Sequence, residues 1–223
     1  MPASNVMRGA FSFNLIVLVL VQLAPLAGVY FLGWKSFDIL MLFWAENLVI
    51  GLFVIAKMLV RLFAARDVPV VVLAPFFTVH YGAFCLGHGL MLLSWFGPPH
   101  LKPPPNVPEL IDFVWPLVRA VQQIPGLAWS LALLAAGQFV AFVAVYLFQG
   151  GFRATTAQRL MGEPYPRIVM LHVAMIFGAA IARKFGDPFI AVVLLILFKA
   201  GGEVAIYLRN ARRAGGAMRT SFV

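Results

Sequence analysis

Six stretches of this chain, at about 11–34, 37–63, 73–96, 126–150, 166–184 and 187–209, each run for some twenty predominantly apolar residues. At 1.5 Å of rise per residue, a helix of that length crosses the ~30 Å hydrocarbon layer of a bilayer. A spanning helix also satisfies its backbone polar groups internally, as lipid requires. The pattern predicts an all-α integral membrane protein, a single domain over residues 1–223 built as a bundle of about six transmembrane helices. Composition agrees, since 62% of residues are hydrophobic and 11% charged, against roughly a quarter charged in soluble domains. The last two stretches are nearly continuous. Their division rests on Arg183-Lys184-Phe185-Gly186-Asp187-Pro188, where charges, a glycine and a proline predict a turn. The apolar run that starts near Ala10 exceeds a signal-peptide core of about 7–15 residues and is expected to stay as the first helix.

A net charge of +9 would suggest a nucleic-acid partner in a soluble domain, but the basic residues form no stripe. They sit in short loops and at helix ends, so topology explains them and nucleic acid is not expected as a partner. With the N-terminus inside, ten arginines fall on the cytoplasmic side (residues 8, 61, 66, 153, 159, 167, 209, 212, 213 and 219), against five basic residues outside (35, 102, 119, 183 and 184). That bias predicts an N-in, C-in arrangement in the lipid bilayer. Between the third and fourth spans, about 97–125, eight prolines predict a stiff outer loop. Its second part, with Leu110, Ile111, Val114, Trp115, Val118 and Val121 at helical spacing, reads either as an interfacial helix or as an ordered loop. The five tryptophans fit an aromatic belt towards the outer ends of the spans. Gly178 and Ala182, a small-x-x-x-small pair, suit an internal helix contact or a homo-oligomer.

Ionisable side chains at membrane depth are costly unless paired or hydrated, which makes each a candidate for function. They are Glu46 beside Asn47 in the second span, His80 and His88 in the third, His172 in the fifth, and Lys199 and Glu203 in the sixth, with Lys57 able to snorkel. Counting helix rise from the span ends puts Glu46 and His88 about 12–13 Å from the outer boundary. The same count puts His80, His172 and Glu203 about 8–9 Å from the inner one. Two layers are expected: an outer one of Glu46, Asn47 and His88, and an inner one of His80, His172 and Glu203, with Lys199 between and Tyr81 and small glycines supporting.

Two imidazoles and a carboxylate suit a divalent metal such as zinc, iron or manganese. Haem on axial His80 and His172 is a narrower version, with Glu203 an awkward neighbour. Alternatives for the same residues are a proton or cation pathway, or pairing that only fixes helix packing. No Glu-x-x-His helix motif is present. The lone cysteine, Cys85, gives neither a disulfide nor a multi-cysteine metal site within the chain, and no phosphate-binding loop, nucleophile elbow or Cys-x-x-Cys occurs.

At Phe43-Trp44-Ala45-Glu46-Asn47-Leu48-Val49-Ile50-Gly51-Leu52 and His80-Tyr81-Gly82-Ala83-Phe84-Cys85-Leu86-Gly87-His88-Gly89 the chain resembles a family of bacterial inner-membrane proteins known only as a domain of unknown function. The resemblance extends to His172 and the turn from Lys199 to Glu203. It implies a multi-pass inner-membrane protein with Glu46, Asn47, His80, His88 and Glu203 in its site, and it implies no reaction.

Overall fold

A computed structural model describes residues 27–101 and 110–185, with Pro25, Val193, Ile196, Leu197 and Gly201 beside them. Every element among these residues is helical. Most of the expected first span and nearly all of the sixth, with Lys199 and Glu203, lie outside the described residues.

Residues 27–32 form the end of a helix that stops at Gly33, whose φ is +66°. The Trp34 N–H donates to the Gly28 carbonyl at 3.2 Å across this left-handed glycine, a Schellman closure. Helix α1 (Ser36–Ala65) follows after two residues, and the carboxylate of Asp38 accepts from the Lys35 N–H at 2.8 Å, satisfying one donor of its open first turn. It ends in the same type of closure, with Arg66 in the left-handed conformation and the Asp67 N–H on the Arg61 carbonyl at 3.3 Å. Next come α2 (Val70–Phe96), α3 (Leu110–Gln123), α4 (Leu127–Ala141), α5 (Ala157–Gly162) and α6 (Tyr165–Phe185). Helix α4 continues without a break into a π-helical turn over Phe142–Phe148. Within the expected proline-rich outer loop, α3 is therefore a helix, amphipathic in sequence, and its Trp115 ring carries the Arg119 guanidinium at 5.6 Å.

Helix directions follow from the contacts. Helices α1 and α2 are antiparallel, because Trp44 meets Cys85 while Asn47, three residues later, meets Tyr81. Helix α4 runs with α1: Phe53 lies against Phe142 at 6.1 Å, and the Tyr146 hydroxyl donates to the Lys57 carbonyl at 2.9 Å. Further down, Arg61 donates to the Phe152 carbonyl. Helix α6 runs with α2, since Tyr165 meets His80 and His172 meets His88. The four long helices α1, α2, α4 and α6 thus alternate in direction along the chain.

The side chains are distributed as lipid demands. Trp129 is 82% exposed, Leu133 76% and Phe148 84%, whereas Asn47 and His88 are buried at 4% and 6%. A water-soluble bundle would place these groups the other way round. Among the described residues, three helical runs, Ser36–Ala65, Val70–Phe96 and Leu127–Phe148, are long and apolar enough to cross a membrane. The buried residues form two clusters. One joins the first half of α1 to Leu92, Leu93, Ile124, Leu127, Leu171 and Met175. The other joins Val54 and Met58 to Val70, Ala74, Phe77, Tyr81, Leu160 and Ile168.

Helix α5 accounts for a shift in register. Its Ala157 and Leu160 pack with Val70 and Ala74 at the base of α2, so the chain enters α6 only at the level of His80. Of the tryptophans expected in an outer belt, Trp95, Trp115 and Trp129 are about half exposed or more. Trp34 and Trp44 depart from it: both are buried at 5%, and their indole N–H groups donate to the Pro125 and Cys85 carbonyls at 2.7 Å. A buried indole N–H needs an acceptor, and each of these ties one helix to another segment.

Candidate functional site

The seam between α2 and α6 carries the titratable side chains. Phe76, His80, Phe84 and His88 form a ridge on α2 with a spacing of four residues. Phe76 stacks on His80 at 5.1 Å and Phe84 on His88 at 6.1 Å, with His80 and Phe84 tilted at 46° between them. Two cross-links leave this ridge for α6. The His80 Nδ1 lies 2.8 Å from the Tyr165 hydroxyl. Eight residues on, the His88 Nε2 lies 2.8 Å from the His172 Nδ1, the rings meeting edge to face at 77°.

The upper link has a definite proton arrangement. His88 Nδ1 lies 2.6 Å from the Phe84 carbonyl, one turn back on its own helix. A carbonyl only accepts, so this nitrogen carries hydrogen and donates. In the neutral pair the His88 Nε2 is then a bare acceptor for the N–H of His172 Nδ1, and the His172 Nε2 keeps its lone pair. A histidine held through Nδ1–H on a backbone carbonyl is oriented to offer Nε2 to a proton or a metal.

The expected layers are regrouped. His172 meets His88 and not His80, which stands level with Tyr165, seven residues or about 10 Å lower along the seam. Depths counted from span ends assumed level ends, and α5 lifts the start of α6 along α2. The contacts of Trp44 and Asn47 put the Glu46 backbone opposite Gly82 and Ala83, about 8 Å from the level of His88. Glu46 is half-buried on α1. Asn47 serves packing, its side-chain amide donating to the Phe43 carbonyl at 2.8 Å while its own carbonyl accepts from the Tyr81 hydroxyl at 3.0 Å. Lys57 pairs with Glu163 at 3.6 Å.

Two converging imidazole nitrogens fill half of a tetrahedral metal site. With metal–nitrogen bonds of about 2.0–2.1 Å, a tetrahedral bite needs the nitrogens about 3.3 Å apart, so the pair would open by roughly half an ångström. No cluster of three or more His, Cys, Asp or Glu side chains occurs among the described residues. The donors seen fit a metal in kind once the His172 proton moves from Nδ1 to Nε2, which frees the second lone pair, but they are fewer than the three protein ligands of an open zinc site.

Sequence reasoning did not single out Tyr165, Gly51 or the inward role of Trp44. A signal for Tyr165 was present: it precedes His172 by seven residues as His80 precedes His88 by eight, matching spacings on two helices that run in parallel. Gly51 lies under the Tyr81 ring, where a Cβ would stand 2.6 Å from Cε1. The two stretches that carried the family resemblance are therefore docked on each other through Trp44, Asn47 and Gly51 on α1 and Tyr81 and Cys85 on α2.

Fold and site together define a helical membrane protein with an imidazole pair, His88 buried and His172 half-buried, between two parallel helices. The chain belongs to DUF6498, a family of unknown function, which it matches over residues 7–220. No curated protein and no solved structure matches it.

Proposed function

We propose that the chain is a six-span protein of the bacterial inner membrane, N-in and C-in, whose α2–α6 seam binds a divalent transition metal through His88 and His172. The observation that carries this reading is the fixed orientation of His88, whose Nδ1–H on the Phe84 carbonyl aims Nε2 at His172. Glu203, the carboxylate expected from the sequence, lies outside the described residues and is the proposed third ligand. Zinc, iron and manganese all accept this donor set. His80 with Tyr165 belongs to the lower part of the seam and orders the helix contact.

Metal analysis of the detergent-purified protein tests the reading. Stoichiometric metal that disappears in H88A and in H172A, and persists in H80A, is expected. Absence of bound metal after incubation with zinc, iron and manganese in turn would overturn it.

A second reading has its own support in the 2.8 Å nitrogen–nitrogen distance, which is a direct hydrogen bond. Two linked imidazoles can pass a proton, so the seam would form part of a proton or cation pathway. Proton flux in proteoliposomes that H88A abolishes, in protein free of metal, selects this reading. Wild-type metal content and flux at background levels, with only lowered stability in the variants, would leave a scaffold whose imidazoles lock helix packing.

A further inference from the structure

At the opposite end of the bundle from the Trp34 turn, a cavity of about 310 Å³ opens between α1, the π-helical turn and α5. Lys57, Tyr146, Thr155, Arg159, Leu160 and Glu163 line it. Its charged groups are only loosely engaged. The Lys57 ammonium lies 3.6 Å from the Glu163 carboxylate, and both side chains remain partly exposed. Arg159 is exposed, its guanidinium without an ion pair among the described residues, while Arg61 is held by Asp67 at 2.6 Å. On the same lining, the hydroxyl of the half-buried Thr155 is itself buried and has no hydrogen-bond partner among the described residues. A buried hydroxyl nearly always has a partner, and an orphan in a polar cavity points to one supplied from outside the chain. The floor is shaped for close approach: at Gly151 a Cβ would come within 3.0 Å of the Val145 carbonyl, so the loop lies directly on the π-helical turn.

From this arrangement we propose that the cavity binds a phosphate ester, held by the guanidinium of Arg159, the ammonium of Lys57 and the hydroxyl of Thr155. The planar fork of a guanidinium matches two phosphate oxygens, an ammonium adds a point charge, and a hydroxyl donates to a third oxygen. Glu163 sets the limit on charge. It repels an anion directly, so the phosphate takes over Lys57 from it, and a cationic substituent on the ester would lie against the freed carboxylate. Such an ester could be the headgroup of a membrane phospholipid or a soluble phosphate ester. Its place at a helix-bundle end rich in arginine is where anionic headgroups collect.

The test uses the full-length protein in detergent. Native mass spectrometry and thermal melting are run with phosphatidylglycerol, with phosphatidylethanolamine, with diacylglycerol, which lacks the phosphate, and with soluble glycerol phosphate. The phosphate-bearing probes are expected to bind and raise the melting temperature, and diacylglycerol is not. R159Q and T155V should each weaken binding, R159Q by about tenfold as a lost charge-assisted contact predicts. Binding by phospholipids alone identifies a headgroup site, and displacement of lipid by millimolar glycerol phosphate identifies a soluble ester. Equal binding of phosphatidylglycerol and diacylglycerol, or unchanged binding in both variants, overturns the proposal. Arg159 is exposed, so R159Q separates lost binding from lost folding, and the metal content tested above is independent of either result.

Discussion

The Nε2 of His88 stands 2.8 Å from the Nδ1 of His172, and this contact joins the third and fifth expected spans across 84 residues of sequence. In hydrocarbon neither ring finds water if the other is removed, although a loosened helix can find some substitute partner. Truncating either histidine in metal-free protein should lower stability by about 1–2 kcal/mol. The double variant should cost less than the sum of the two singles, with a coupling of about 0.6–1.7 kcal/mol. Denaturation in mixed micelles measures the cycle, and strict additivity would show that the rings do not interact.

Close approach of α1 and α2 depends on Gly51. A Cβ there would stand 2.6 Å from the ring of Tyr81, which is itself 3% exposed and bonded to the Asn47 carbonyl. G51A should therefore destabilise by about 1–3 kcal/mol through overpacking. Adding Y81L should recover part of that loss. The same micelle titration reads both, and a G51A protein as stable as wild type would mean that the helices are not held at this distance.

The sequence was most readable where one physical rule acts alone. Length and hydropathy mark Ser36–Ala65 and Val70–Phe96 because a lipid-crossing helix must be long and uniformly apolar. Whether Leu110–Gln123 was helix or loop depended on a partner surface the sequence does not show. Burial of His88 and of the polar Asn47 was legible too, whereas Glu46, His80 and His172 are only half-buried. Their grouping was not legible. Pairing depends on the axial offset between helices, and that offset is set by six residues of α5 with the glycine loop before it, which carry no hydropathic signal of a crossing. Trp44 was misread for a related reason: an indole at the end of a span and one turned inward to a carbonyl have the same sequence signature, and only the neighbouring helix distinguishes them.

Arg61 ties three segments together. Its side chain bonds the Asp67 carboxylate at 2.6 Å and also the Phe152 carbonyl, with the two charged side chains only 12% and 13% exposed. Removing one partner of a largely buried pair leaves the other charge uncompensated. D67N and R61M should each cost about 2–3 kcal/mol, less than a fully buried pair because this one lies near the end of the bundle. Proteolysis should also reach the loop around Phe152 in R61M, because its carbonyl anchor is gone. Unchanged stability in both variants would show that the pair is open to water.

The two left-handed helix ends offer a final comparison within one chain. Gly33 closes the first helix at φ +66° and Arg66 closes α1 at φ 51°, with the same six-residue hydrogen bond in each. Glycine adopts this conformation freely, whereas any residue with a Cβ is strained there. Arg66 is exposed and follows the last turn of α1, where its charge favours the negative end of the helix dipole by a few tenths of a kcal/mol. The conformational gain exceeds that loss, so R66G should stabilise the protein by about 0.5 kcal/mol. G33A should destabilise it by about 1 kcal/mol, because a Cβ there brings strain with no compensating contact. Thermal melting of both variants checks the opposite signs, and a destabilised R66G would mean that the arginine side chain makes a contact outweighing its backbone strain.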